Sequence, residues 1–519
     1  MLAIRDLLPP FAVRSLFHAT VLACVVTGAS AQSAEHPAAA AVPAPAEATP
    51  LSLPDMVARL RASNRSILTK KVEAGVAATG IGRAEAVFQP QLSLAAVRGE
   101  SRTKNTFEEE LIRQSLGIYE RTGNDFSAGL STVLQATGAK LELKSALSRF
   151  ITNNNQNDPL RPPGAYDNRG SVGFQLTQPL ARDAGPEVTQ AKLNIARLDS
   201  AAAEHGARDT ETSVVAEGML AYYELVFAQR RVEAARDKIR TSAHLLEEAK
   251  ALHQQGRLAQ SDVWEVENAL VRYQSALSEA VQNQRERGNK LRAMLMIDPS
   301  DALMSASGEL PAVDAKLADA QEGLSAALER RDDFQMRKVA VEREGLQLGW
   351  AENQSLPRVD LVASYGVNGL EYSGRQALDL HRARDYPTWN LGVQVSVPLG
   401  PNKQAEADIQ AAVLRRDDAL LALKAMEVQI ANDIDSSRAL LTSMVERWSL
   451  WEQVAGREAQ QLEAERLKFK AGRSDTRELL LRQERVINAK LSVLEQQLGF
   501  ARAQTLLQAA QGLLMERFP

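Results

Sequence analysis

Four segments of the chain alternate apolar and polar residues with the period of two that is typical of β-strands. These segments are residues 90–98, 171–179, 357–366 and 389–398. In the last of them, Val393 and Val395 occupy one face, whereas Gln394 and Ser396 occupy the other. One apolar face and one polar face predict a sheet that has water on one side only.

The two halves of the chain repeat the same order of elements. Residues Val172–Leu180 (VGFQLTQPL) are matched by Leu391–Leu399 (LGVQVSVPL), and each of these strands follows another strand that begins after a proline. A period this long indicates a duplicated half-molecule rather than a solenoid of short units. We therefore expect a first repeat over residues 51–310 and a second repeat over residues 311–519.

Each repeat continues from its second strand into a predicted helical hairpin, over residues 185–297 and 404–514. One glycine interrupts each hairpin, Gly256 in the first and Gly472 in the second, as is common where a helix ends. At 1.5 Å per residue the first long helix would span roughly 100 Å, which is more than a globular core requires. The expected fold class is mostly α with a small β part, in which long helices form a barrel-like wall.

The amino terminus has the basic, apolar and small-residue parts of a secretory signal peptide, so residues 1–31 are predicted to be removed. Residues 32–50 are rich in alanine and proline and are expected to be a flexible leader. The only cysteine, Cys24, follows Val21–Ala23 in a pattern similar to a bacterial lipobox. The alternative to simple cleavage is therefore lipidation at Cys24.

Composition and motifs exclude several classes of function. The formal net charge of −4 argues against a nucleic-acid partner. The six histidines are scattered without the spacing of metal ligands, and we find no phosphate-binding loop or nucleophile motif. We therefore expect no enzyme activity, no metal and no cofactor.

Four to six strands per chain cannot close into a barrel, and lipid does not tolerate an open sheet edge. Oligomerisation would solve this problem, because each protomer would contribute a few strands to a shared barrel. The alternative is a soluble sheet whose apolar face is buried against other parts of the chain. The signal peptide and the long helices favour the shared barrel.

This order of elements resembles that of the TolC family of outer-membrane efflux proteins. The matching features are Ala86–Pro90 (AVFQP), Leu356-Pro357, the strand ends Gln178–Leu180 and Val397–Leu399, and the two glycine tips. The resemblance implies a TolC-like homotrimeric α/β-barrel, with a β-barrel in the bacterial outer membrane, surrounded by lipid, and a long periplasmic α-barrel. It also implies two partners, a periplasmic adaptor (membrane fusion) protein and an inner-membrane pump.

A further hairpin is predicted over residues 126–148, with its turn at Thr137-Gly138, and the second repeat has no counterpart. It could add two barrel strands per protomer with the turn on the periplasmic side, or it could fold within an extracellular loop. Because the family pattern has four strands per protomer, we expect the second arrangement.

The resemblance implies that the helix tips contact the adaptor. The predicted contact residues are Gly256, Arg257, Leu258, Gly472 and Arg473. The alternative for the glycines is that they only permit the positive φ that a tight reversal of the chain requires.

An acid follows each tip at the same offset, Asp262 in the first repeat and Glu478 in the second. Three copies around a narrow pore would form a carboxylate ring that favours cations and pairs with arginine to close the pore. In the family pattern Glu478 falls at an entrance acid and Phe469 replaces a gate tyrosine, while Arg473 or Arg477 would have to substitute for a gate arginine. The alternative is a solvated helix face with incidental charges.

The predicted function is that of the outer-membrane exit channel of a tripartite efflux system, carrying small molecules such as drugs, toxic compounds or metals to the exterior. One alternative is the outer-membrane duct of a type I protein secretion system. The other is a soluble periplasmic coiled-coil scaffold.

Overall fold

The computed structural model describes residues 50–113, 116–156, 165–298, 304–314, 324–371 and 386–518. The predicted signal peptide, Cys24 and all of the predicted leader except Pro50 lie outside these residues.

Long helices dominate the described chain. The principal helices are α1 (Leu53–Ser63), α2 (Arg65–Glu85), α3 (Ala191–Gln254), α4 (Gln260–Met294), α5 (Leu324–Arg330), α6 (Asp332–Ser355), α7 (Lys403–Lys470) and α8 (Thr476–Ala510). Short helical turns cover Ala86–Phe88, Phe107–Ile112, Asn153–Gln156, Pro186–Thr189 and Leu514–Arg517. No described helix contains an apolar stretch of the length that a membrane span requires. The predicted fold class, mostly α with a small β part, is confirmed.

One antiparallel sheet contains six strands in the order of the sequence. They are β1 (Gln91–Lys104), β2 (Ile118–Val133), β3 (Lys140–Thr152), β4 (Asp167–Pro179), β5 (Arg358–Glu371) and β6 (Pro387–Ser396). Strands β1, β4, β5 and β6 correspond to the four predicted strands. In addition, Pro50–Leu51 pairs in parallel with Ser305–Ala306.

The extra hairpin lies in the middle of this sheet as strands β2 and β3. Strand β2 pairs with β1, where Ala95 lies opposite Ser127, and β3 pairs with β4, where Ala146 lies opposite Ser171. The expectation that the hairpin folds within a loop is therefore wrong. The physical reason is that its alternation continues that of its neighbours, so both of its outer edges find backbone partners.

Several strands are longer than predicted at the end far from the helices. Strand β1 continues to Lys104 and β5 continues to Glu371, past the predicted ends at residues 98 and 366. Beyond the apolar band both faces of a strand carry polar residues, as in Arg98–Lys104, so the alternation that predicts a strand disappears. Main-chain hydrogen bonds nevertheless continue the antiparallel ladder there.

The two faces of the sheet differ in polarity across all six strands. One row of registered neighbours is apolar throughout: Leu92, Leu130, Leu143, Phe174, Tyr365 and Trp389. The adjacent row on the opposite face is polar throughout: Gln91, Ser131, Glu142, Gln175, Ser364 and Asn390. The apolar face is exposed in the single chain, since Trp389 and Leu92 are 70% and 68% exposed.

The helices form two groups that follow one another along the length of the body. Near the sheet, α2, α3, α6 and α7 lie side by side in that order, and farther away α4 packs on α3 while α8 packs on both α7 and α3. A buried cluster around Tyr222 joins α1 to α3. The Tyr222 hydroxyl donates to the carbonyl of Leu51 (3.0 Å) and accepts from the amide of Gly308 (2.9 Å).

Candidate functional site

The two long hairpins reverse through the same backbone motif. Gly256 and Gly472 have φ values of 68° and 67°. The amide that follows each glycine donates to a carbonyl five residues earlier, from Arg257 to Leu252 (3.0 Å) and from Arg473 to Lys468 (2.9 Å). This is the Schellman arrangement, in which glycine accommodates the left-handed conformation. A Cβ at either glycine would meet no atom within 4 Å, so the backbone alone requires glycine here.

The return helices begin differently after these equivalent turns. Helix α8 has Asp475 as its N-cap, which accepts a hydrogen bond of 2.8 Å from the amide of Glu478. Helix α4 follows Ala259, which provides no side-chain cap. The internal duplication is thus preserved at the ends of α3 and α7 and lost at the starts of α4 and α8.

Four of the predicted adaptor-contact residues, Gly256, Arg257, Gly472 and Arg473, are exposed, whereas Leu258 is half-buried. Both tips line one cleft of about 860 Å³ between the ends of α3 and α7. Its apolar lining includes Leu245, Leu252, Leu258, Phe469 and Leu479, and its basic lining includes Arg240, Arg257, Arg466 and Lys470. The structure thus brings residues of the two predicted tips together in one apolar and basic cleft.

A buried apolar cluster supports the tips from inside. It joins all four helices of the two hairpins through residues such as Leu246, Val263, Leu462 and Leu479. Phe469, the predicted gate residue, is half-buried and packs against this cluster, as does Leu258. In the single chain Phe469 is therefore part of the protomer's own core.

The predicted entrance acid Glu478 lies on the first turn of α8 and already has a partner. Its Oε1 atom accepts from Nε of Arg482 at 2.8 Å, one turn further along the helix. Neither Arg473 nor Arg477 provides this pairing.

Arg477 instead connects the two hairpins. Its Nε atom lies 2.9 Å from Oε1 of Glu265 on α4. The pKa of Arg477 is raised above its ordinary value, first by the hydrogen bond that it donates to Glu265 and by the charge of that carboxylate, and then by the nearby charges of Asp475 and Asp262. Asp262 is half-buried, and it forms no ion pair within the part of the chain that the structure describes. The two predicted acids therefore do not share an arginine, because Glu478 pairs with Arg482, whereas Asp262 lies near Arg477, whose ion pair is with Glu265.

Sequence reasoning missed a buried carboxylate at the second tip. Glu465 accepts a hydrogen bond from the Ser474 hydroxyl and forms an ion pair of 3.2 Å with Lys468. The bond from Ser474, followed by that from Lys468, lowers the pKa of Glu465. The spacing of Glu465 and Lys468 on one helix face was a signal for the ion pair, whereas the contact with Ser474 crosses the turn and leaves no such signal.

These features define a class of protein. A sheet that is apolar on one face and polar on the other, joined to two hairpins of about 100 Å, is typical of a membrane channel protein with a helical extension.

Comparisons with known proteins agree with this class. Residues 323–513 match the family model described as "Outer membrane efflux protein". The chain is similar to Outer membrane protein OprJ of Pseudomonas aeruginosa, with 25% identity over 227 residues, and the match spans 43% of this chain and 45% of OprJ. It thus covers less than half of the length of that relative.

Solved structures extend the likeness to almost the whole chain. The outer-membrane channel OprN matches with a TM-score of 0.64 and 15% identity over 89% of each chain. The outer membrane protein VceC from Vibrio cholerae matches with a TM-score of 0.61 and 16% identity, over 89% of this chain and 96% of VceC. At these identities the structures establish the fold alone.

Together these matches confirm the predicted resemblance to the TolC family of outer-membrane efflux proteins. They also confirm the predicted location, in the outer membrane with a periplasmic part. The proteins of this family are channels rather than enzymes.

Proposed function

We propose that this chain is the outer-membrane exit channel of a tripartite efflux system, that three copies form the channel, and that it passes small molecules from the periplasm to the exterior. The observation that carries this proposal is the sheet with its apolar row (Leu92 to Trp389) backed by a polar row (Gln91 to Asn390). The long hairpins that continue from this sheet provide the periplasmic extension that such a system needs.

The partners of the tips would be a periplasmic adaptor and, through it, an inner-membrane pump. The cleft between the tips has apolar lining residues, and among its described lining residues Glu248 is the one carboxylate against three arginines and one lysine. An amphipathic helix with an acidic edge would fit such a surface. Gly256, Arg257, Leu258, Gly472 and Arg473 are the proposed contact residues.

The tips would also form the entrance of the pore. Asp262 and Glu478 would provide its carboxylates, with Phe469 and Arg473 beside them, and the Arg477–Glu265 pair would hold the two hairpins of one protomer together. Movement of one hairpin relative to the other would have to break this pair. Because it is exposed to solvent, an adaptor could displace it at low energetic cost.

The first experiment is the native mass of the protein extracted from isolated outer membranes. A trimer that is recovered only with mild detergent is expected. A monomer or dimer released by salt alone would contradict the channel and favour the periplasmic scaffold.

Adaptor docking is tested with the variant Arg257→Glu and its charge-conserving control Arg257→Lys. In cells that depend on this channel, Arg257→Glu should raise drug susceptibility while the trimer forms normally, and Arg257→Lys should behave as the parent. Equal efflux by the parent and both variants would show that Arg257 is not part of the docking surface.

The entrance is tested by the conductance and ion preference of the purified channel in planar bilayers. Glu478→Ala and Asp262→Ala should each weaken the preference for cations, whereas Glu247→Ala, which changes an exposed acid on α3, should not. An unchanged ion preference in both entrance variants would contradict the carboxylate ring.

A further inference from the structure

The two edges of the six-stranded sheet lack partners within the part of the chain that the structure describes. Strand β1 has 14 residues and β6 has 10, and every one of them is exposed. Unpaired backbone amides and carbonyls along such edges cannot remain in the hydrocarbon of a membrane. A closed ring of strands is the arrangement that removes both edges.

We propose that β1 of one copy pairs with β6 of the next copy, so that all six strands, including the extra hairpin, form the barrel wall. This inference rests on the proposed function, and in a trimer it gives an 18-stranded barrel, from six strands in each of three copies. An antiparallel run of six strands leaves β1 and β6 pointing in opposite directions. The new pair between copies is therefore antiparallel, as in known membrane barrels.

The hairpin has the residue pattern of a barrel wall. Leu130 of β2 and Leu143 of β3 continue the apolar row of their neighbours, and Ser131 and Glu142 continue the polar row. Glu142 also binds Lys144 at 2.6 Å on the polar face. Such charges suit a water-filled interior and would be costly against lipid.

The turn of the hairpin is anchored at the edge of the sheet from which the helices begin. The Nε2 atom of Gln178 donates to the carbonyl of Thr137 (3.1 Å), and the Oγ1 atom of Thr132 donates to the carbonyl of Phe88 (3.1 Å). Ala139 is buried there. These contacts fix the hairpin at its inner end, so it cannot be a mobile part of an outer loop.

The extra strands make the barrel wider than the helical wall requires. Four helices lie side by side near the sheet, and β1, β4, β5 and β6 each join one of them, whereas β2 and β3 join each other at that edge and neither joins a helix there. With strands about 4.8 Å apart and tilted by about 40°, 18 strands give a backbone diameter of about 36 Å, against about 24 Å for 12 strands. The barrel would therefore not select among solutes, and the helix tips would set the size limit.

The first test asks which face of the hairpin meets lipid. Leu143→Cys and Lys144→Cys place single cysteines on opposite faces of β3, and Leu391→Cys and Asn390→Cys are the matched pair on β6. Cys24 is the only natural cysteine, so the parent protein gives the background. In lipid vesicles, a charged maleimide should label Lys144→Cys and Asn390→Cys, and a lipid-soluble maleimide should label the other two.

The outcomes separate the two proposals. If labelling differs between the two faces of β6 but not between those of β3, the hairpin lies outside the wall, which overturns the six-strand barrel and leaves the proposed channel intact. If labelling differs between the faces of neither strand, the channel itself is contradicted. A difference between the faces of both strands supports the six-strand barrel and the channel.

The second test asks whether the edges of neighbouring copies meet. With strands tilted by about 40°, the register shifts by about seven residues from one copy to the next, so Asn390 should lie opposite a residue near position 98 of β1. Cysteines at Ala95, Val97 or Gly99 of β1 are therefore each combined with Asn390→Cys of β6, all on the polar face. Within one chain the two edges are about 24 Å apart, because five spacings of about 4.8 Å separate them, so a disulfide can form only between copies. Cross-linked trimers on a non-reducing gel are expected for at least one combination. If the protein forms trimers by native mass but none of the three combinations cross-links, edge pairing is refuted.

Discussion

Replacement of Gly138 by alanine tests how firmly the extra hairpin is held against the helical body. Gly138 has a φ of 76°, and an added Cβ would lie 2.6 Å from the carbonyl oxygen of Asp183 and 2.8 Å from Oγ1 of Thr189. The Thr189 hydroxyl can rotate away, but the Asp183 carbonyl belongs to the backbone and must move with it. The left-handed conformation costs alanine about 1–2 kcal/mol, and crowding in a packed site adds about 1–3 kcal/mol.

The expected loss of local stability is therefore about 2–5 kcal/mol for Gly138→Ala. Gly256→Ala is the matched control, because its φ of 68° is similar and its Cβ would meet no atom within 4 Å. There only the backbone term of about 1–2 kcal/mol applies. The difference between the two variants isolates the crowding at the turn.

Amide hydrogen exchange measures both losses locally in the detergent-solubilised protein. The amide of Gly138 donates to the carbonyl of Leu134 (2.9 Å), and the amide of Gly256 donates to that of His253 (2.8 Å). At 1.4 kcal/mol per factor of ten, protection at residue 138 should fall by about 30-fold to several thousand-fold, and that at residue 256 by about 5- to 30-fold. An equal loss in the two variants would refute the close seating of the turn.

Three further predictions concern the helical body. Tyr222→Phe should cost about 1–3 kcal/mol in denaturant unfolding, because it removes the hydroxyl that donates to the carbonyl of Leu51 and accepts from the half-buried amide of Gly308. No loss would contradict those bonds. Leu479→Ala truncates a buried side chain of the apolar cluster that supports the tips and should lower the free energy of unfolding by about 2–5 kcal/mol. Leu481→Ala changes an exposed side chain and should lower it by less than about 0.5 kcal/mol. Similar losses in the two variants would contradict the assigned core. The lowered pKa of Glu465 means that its stabilising contribution exists at neutral pH and is lost as the pH falls through that pKa. This loss of stability can be followed as a loss of amide protection at the second tip. Ser474→Ala should move it to higher pH, and an unchanged pH profile would argue against the hydrogen bond.

Much of the fold could be predicted because its signals are local. Alternation in a single segment marks a strand, as in residues 389–398, and one glycine marks each hairpin tip. Gly256 and Gly472 then adopt the positive φ expected of a helix end. These features depend on the chemistry of a few neighbouring residues.

The place of the extra hairpin could not be predicted in the same way. Its alternation indicates two strands, but their neighbours are set by pairs such as Ala95 with Ser127 and Ala146 with Ser171, which are far apart in the sequence. Nothing in one sequence fixes which edge pairs with which. The prediction therefore relied on the family pattern of four strands per protomer, which wrongly placed the hairpin in a loop.

The same distinction holds at the tips. The pair of Glu478 and Arg482 has the spacing of one helical turn and is readable from the sequence. The pair of Glu265 and Arg477 joins residues 212 positions apart on different hairpins. Only the packing of α4 beside α8 brings them together, so the partner of Arg477 was not predictable.

The placement of the hairpin in the first repeat alone has a consequence for the symmetry of the assembly. In the proposed trimer, two equivalent glycine tips per copy give the periplasmic end a nearly six-fold symmetric arrangement. The first repeat contributes four strands and the second contributes two, so the barrel retains only three-fold symmetry. A partner at the tips would meet six similar docking positions, whereas a ligand approaching the outer mouth would meet three.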